Sequence, residues 1–186
     1  MVFISDTASA LQAAVDLVNT LPGQGREDTL QTAEGLTTFL EEHQYTGTIT
    51  RMTDELNAIR SSRSRLRELW AVDRTAAVPL VNQLLRDGRA LPQLVRHDDR
   101  DWHIHATNHD DPLATRILVE TAMAFVDVIR SDEYQRIKVC EADDCDAVFV
   151  DYSRNRSKLY CDIGNCGNRM NVNAYRLRQA HDEETD

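Results

Sequence analysis

Four cysteines, Cys140, Cys145, Cys161 and Cys166, occupy the last quarter of a 186-residue chain whose first 139 residues contain none. They form two C-x4-C pairs with fifteen residues between them. Thiolates clustered in this way are the donor set of a tetrahedral zinc site, with bonds of about 2.3 Å. The spacing favours that reading over four buried free thiols. A site closed by four sulfurs leaves no position for water, so one structural Zn2+ is expected. Its binding would stabilise a segment poor in large apolar side chains.

The segment between the pairs reads as strand, turn, strand. Ala147 to Asp151 is β-prone, Ser153 to Lys158 is a polar turn, and Leu159-Tyr160 returns to Cys161. From Cys166 the chain reads as a helix, with Met170, Ala174 and Leu177 at helical spacing. Free amides at its start favour thiolate charge, and Gly167 would let the backbone approach a sulfur. Arg169, Asn173 and Arg176 share one stripe of that helix, and Arg154, Arg156 and Lys158 lie on the turn. Five cations and one amide are therefore expected on two elements tied together by the metal, with Arg178 on the opposite side of the helix.

Other polar sets invite chemistry less. Among His97, His103, His105 and His109, the middle pair would project from one side of a strand, and a polar hairpin face is preferred to a ligand cluster. Arg60, Arg63 and Arg67 form a second arginine stripe, read as a solvated face beside Asp54, Glu55 and Glu68. No phosphate loop, nucleophile elbow or Ser-His-Asp arrangement is present. No enzyme is expected, and no catalytic residue is assigned.

The elements that position the cysteines are mostly helical. Ser5 or Asp6 caps a helix through Leu11, Val15 and Val18 that ends before Pro22-Gly23. A short helix follows Thr32 with Leu36, Phe39 and Leu40 inward. Thr50 or Thr53 opens a third, with Leu56, Ile59, Leu66, Leu69 and Trp70, and Asp73 opens a fourth through Val78, Val81, Leu84 and Leu85 to Gly88. Leu91 to Thr107 reads as a short hairpin. Asp111-Pro112 reads as a cap and first position for a helix burying Leu113, Ile117, Thr121, Ala124 and Val128. The expected fold is mainly α with a short β-hairpin in the amino-terminal domain. A small α+β treble-clef-like zinc finger follows at the carboxy terminus.

Charge divides the chain in the same way. Of 21 Lys and Arg against 31 Asp and Glu, net −10, residues 1–133 carry −8, residues 134–181 carry +2, and the tail 182–186 carries −4. These three spans are the expected helical domain, finger and acidic tail. The overall charge argues against a surface that coats nucleic acid or membrane, so such a contact must be local. The opening Met1 to Asp6 lacks the basic and long apolar runs of an export signal, and a cytoplasmic protein without membrane contact is expected.

Taken together, Cys140, Cys145, Phe149, Asp151, Ser153-Arg154-Asn155, Cys161 and Cys166-Gly167-Asn168-Arg169 resemble the CGNR zinc finger proteins. Val15-Asp16-Leu17-Val18-Asn19-Thr20 is similar to the signature that opens their companion ABATE domain. The resemblance implies a bacterial, stress-responsive transcriptional regulator. The clustering of basic side chains on the turn and the helix stripe makes Arg154, Arg156, Lys158, Arg169, Asn173 and Arg176 the expected DNA contacts of the finger. The regulator's helical domain would take a small-molecule effector or a protein partner, or pair two copies. The chain departs from the family pattern at Asp146, where glycine is usual, and at Asn171, where lysine is usual. A zinc-stabilised protein-interaction module that does not bind DNA is the alternative, centred on Tyr160, Tyr175 or Leu177.

Overall fold

A computed structural model describes residues 2–24, 26–49, 52–96 and 102–184. The chain runs α1 (Ser5–Asn19), α2 (Ala33–Glu42), α3 (Met52–Glu68), α4 (Arg74–Asp87), β1 (Gln93–Val95), β2 (His103–His105), α5 (Leu113–Arg130), β3 (Ile137–Val139), β4 (Val148–Val150) and α6 (Cys166–Glu184). Among the described residues it is mainly helical, as expected, with two small antiparallel hairpins.

Amphipathic periodicity explains how the helices assemble. α5 buries Leu113, Ile117, Thr121, Ala124 and Val128 as its spacing predicts, and Val119, Ala122 and Phe125 besides. It is thus enclosed on more than one side, packing against α1, α3 and α4. Trp70 meets Phe125 edge-on at 5.2 Å between ring centroids, a favoured aromatic geometry. Thr32 and Asp73 cap α2 and α4, their side chains accepting from the amides of Gly35 and Ala76. One continuous apolar core runs from Phe3 through these helices to Ile137, Val148 and Val150.

Several local expectations yield to neighbours distant in sequence. Asp111 does not cap α5, because its carboxylate accepts from the Asn108 amide. The Leu113 amide instead donates to Glu55 of α3 at 3.1 Å, which places a buried carboxylate at the positive end of the helix. Neither Ser5 nor Asp6 caps α1: Ile4 is the cap residue and supplies no side-chain bond. Val78 faces solvent, and Ala77 takes the inward place beside Val81 and Leu84. Thr50 lies outside the described residues, and Thr53 lies within α3 rather than at its start.

The first hairpin pairs Gln93 with His105, Leu94 with Ile104 and Val95 with His103. Its buried side chain is His103, 6% exposed, whose Nε2 lies 3.1 Å from that of His105, while Leu94, Trp102 and Ile104 face solvent. His97 lies outside the described residues. Among the described residues, the cysteines alone bring three or more metal-ligating groups within mutual reach.

The α3 arginine stripe is paired rather than freely solvated. Arg63 is 3% exposed and donates to both carboxylate oxygens of Asp28, at 2.9 and 2.7 Å, and to the Thr20 hydroxyl. Arg60 reaches the same carboxylate at 3.3 Å, and Arg67 reaches Asp146 at 3.2 Å. The acids that neutralise the stripe come from other parts of the chain, not from the α3 carboxylates beside it.

No helix among the described residues is long and apolar enough to cross a membrane.

Candidate metal centre

The hairpin that carries the first cysteine pair differs from the one expected between the pairs. β3 lies before Cys140 and pairs with β4, Ile137 opposite Val150 and Val139 opposite Val148. The Cys140–Cys145 knuckle is therefore the loop of this hairpin. The Cys140 amide donates to the Ala147 carbonyl at 2.8 Å and the Cys145 amide to Ala142 at 3.0 Å. Leu159-Tyr160 forms no strand. The segment passes the knuckle with one bond, from the Glu141 amide to the Leu159 carbonyl at 3.0 Å, and so delivers Cys161. Cys166 is the first residue of α6, as its sequence predicts.

These elements bring the four sulfurs within 4.8 Å of one another. Cys145 and Cys161 are 3.7 Å apart, and Cys161 and Cys166 are 3.6 Å apart. A tetrahedron of zinc–sulfur bonds near 2.3 Å has edges of about 3.8 Å, so the donor set fits the ion. Cys140, Cys161 and Cys166 are buried and Cys145 is half-buried. Burial pushes the Cys145 thiol up to about 12 and raises Cys161 as well. Burial also opposes ionisation of Cys166, but hydrogen bonds from Arg169 and the neighbouring thiols outweigh it and lower that thiol. Several thiolates packed here require a cation of matching charge. The four cysteines form a zinc-binding site, and the ion would tie the knuckle to α6.

Of the two glycines near the sulfurs, Gly164 rather than Gly167 faces the metal ligands. A β-carbon at Gly164 would lie 3.4 Å from the Cys166 sulfur, whereas one at Gly167 would make ordinary contact with Tyr160.

The turn between the pairs is held from beneath. Asp151 is fully buried and accepts from the Ser153 amide at 2.8 Å, the Lys158 amide at 2.9 Å and Lys138 Nζ at 2.8 Å. Burial works against its charge, but these donors hold the carboxyl well below its ordinary range. Lys138 also donates to the carbonyls of Arg156 and Lys158, and Arg136 to those of Asp151 and Ser153. Sequence reasoning assigns Lys138 and Arg136 no part. Two cations on an adjacent strand and turn carry no periodic signal that marks them as donors to a remote loop.

The six side chains expected to form a basic face separate into two groups. Arg156 pairs with Glu133 at 2.9 Å, and Lys158 pairs with Asp162. Arg169 grips Asp144 of the first knuckle and donates to the Cys166 sulfur at 3.1 Å. Arg154, Asn173 and Arg176 are exposed, as is Arg178.

The centre is docked on the helices by contacts that the sequence could not pair. Asn19, at the end of α1, brackets Val148: its side-chain nitrogen donates to the Val148 carbonyl and its oxygen accepts from the Val148 amide, both at 2.9 Å. Arg26 and Arg67 converge on Asp146, beside Cys145. A β-carbon at position 23 would sit 2.3 Å from that carboxylate, so Gly23 is needed for the approach. The Trp70 indole donates to the Phe149 carbonyl at 3.2 Å.

Residues 11–132 match the model of the ABATE family, described as "putative stress-induced transcription regulator", and residues 136–179 match the CGNR zinc finger. The chain belongs to the ABATE family. Its two matches follow the order expected from the Val15–Thr20 and Cys166–Arg169 signatures. Within this ABATE protein, Asn19 and Thr20 have physical roles: Asn19 holds β4, and Thr20 accepts from the buried Arg63. Asp146, the departure from the finger's usual glycine, is the acid that Arg26 and Arg67 clasp. No curated protein shows significant similarity to the chain.

Proposed function

We propose that this ABATE protein regulates transcription by contacting DNA through its zinc finger, with Arg154, Asn173 and Arg176 as the contact residues and Arg178 as an auxiliary cation. The observation that carries the reading is the exposure of α6 beyond its first turn. Residues 171–176, 178 and 179 are all exposed. A helix open to water on every side gains little from its own domain and is suited to burial against a partner. Arg154, Arg176 and Arg178 have no ion-pair partner among the described residues, which leaves them available to phosphates.

Exposed Val172 and Tyr175 on the same helix, with Ile163 near its start, favour the alternative of a finger that docks on protein. Salt separates the two. Binding to a mixed-sequence duplex, followed by fluorescence anisotropy from about 50 to 300 mM salt, should weaken steeply and linearly on logarithmic axes. Arg154→Ala with Arg176→Ala should flatten that slope. No measurable duplex binding at about 50 mM salt would reject the DNA reading and favour docking.

A further inference from the structure

The arginine of the Cys166-Gly167-Asn168-Arg169 motif is expected from its sequence position to face a nucleic acid, but its surroundings give it another task. Arg169 lies one helical turn after Cys166, so its side chain folds back over the start of α6. There its two terminal nitrogens grip both carboxylate oxygens of Asp144, and Nη2 also lies 3.1 Å from the Cys166 sulfur. Asp144 belongs to the knuckle between Cys140 and Cys145, whereas Cys166 opens the helix. One guanidinium thus joins the two halves of the metal site from outside the ligand set. Arg169 Nε is buried without a hydrogen-bond partner. A side chain reaching into water for a phosphate would not incur that loss.

The charges point the same way. Four thiolates around one divalent zinc leave a net charge of two minus, in a cluster with three buried cysteines. Arg169 brings a cation into contact with one of those sulfurs, and its fork matches the carboxylate and the thiolate together as an ammonium could not. Hydrogen bonds to metal ligands orient those ligands and tune the metal.

We propose that Arg169 is a positioning residue of the zinc centre: it bolts the first knuckle to α6 through Asp144, offsets thiolate charge at Cys166, and is not a nucleic-acid contact. The inference rests on the zinc site and is independent of whether the finger binds DNA.

Three variants of the full chain test it: Arg169→Gln, Arg169→Lys and Asp144→Asn. With the zinc-loaded protein, transfer of the ion to a chromogenic chelator should be about 10- to 100-fold faster in Arg169→Gln. Arg169→Lys should fall between that variant and wild type, because it keeps the charge but loses the fork. Asp144→Asn should also accelerate transfer, and combining it with Arg169→Gln should add less than the product of the two effects. In the cobalt-substituted protein, loss of the hydrogen bond at sulfur should move the thiolate-to-metal band of Arg169→Gln to lower energy, a shift that general loosening elsewhere would not produce. If Arg169→Gln fails to fold, Asp144→Asn carries the same test. Wild-type transfer rates in Arg169→Gln and Asp144→Asn would overturn the proposal. So would a salt slope for duplex binding that falls by about one in Arg169→Gln at an unchanged transfer rate, since that would make Arg169 a phosphate contact.

Discussion

Arg60, Arg63 and Arg67 on α3 and Arg169, Asn173 and Arg176 on α6 follow nearly the same helical spacing, yet the first set is held by carboxylates and the second lies mostly in water. The difference comes from what other segments deliver. α3 faces Asp28 from the connection before α2 and Asp146 from the zinc knuckle. Among the described side chains, α6 meets one such acid, Asp144, and meets it in its first turn. Helical spacing determines which residues share a face. The rest of the fold decides whether that face is a structural clasp or an available surface.

Removing the metal should have the largest effect, because it dissolves one side of this contrast altogether. Chelation, or Cys161→Ser, should cost on the order of 10 kcal/mol of folding free energy in the finger. It should also release α6, seen as lost helical circular dichroism and new protease cleavage between residues 140 and 166. Retained protease resistance after verified zinc removal would count against a structural ion.

Next comes the α3 side. Arg63→Ala leaves the Asp28 carboxylate without its main partner and should cost about 3 kcal/mol in urea unfolding. Asp28 also sets a pH dependence. Hydrogen bonding from Arg63, against the opposing effect of burial, lowers its carboxyl from 3.8 to about 2. A folded value below the unfolded one means the stabilisation is complete above about pH 4 and is lost as pH falls through about 2. The stability gap between wild type and Asp28→Asn should therefore narrow on acidification from about pH 5 to about pH 3. A constant gap would exclude this ion pair as its source.

A smaller loss, about 2 kcal/mol, is expected for Asn19→Ala, which strips both partners from the Val148 backbone while leaving the ligands intact. Its zinc content, measured by atomic emission, should stay at one ion per chain. The mildest change should follow Arg154→Ala with Arg176→Ala. Unfolding free energy should move by no more than about 0.5 kcal/mol, while the salt slope of duplex binding drops by about two. Substantial destabilisation by that pair would mean that the α6 surface is a structural clasp like the α3 stripe.

What is legible in the sequence is local. Thr32 and Asp73 announce their helices because a cap lies next to the amides it serves. The apolar positions of α5 repeat at helical period, and four thiols in paired spacing have one chemistry that unites them. What escapes is set by partners far along the chain. Glu55 is 58 residues from the helix start that it caps. β3 has three residues and no distinguishing alternation, so the pattern points to the wrong side of β4 for its partner. Arg63 reads as solvated beside its own helix's acids because Asp28 lies 35 residues away in sequence.

The Asn19 bracket has a consequence for association. Ala147 and Asp151 turn their backbone groups toward β3, so Val148 directs its own to the opposite border of the ribbon. That border is where a foreign strand could add and seed aggregation. A side-chain amide already fills that place, so at Val148 the β4 border is closed to a foreign strand.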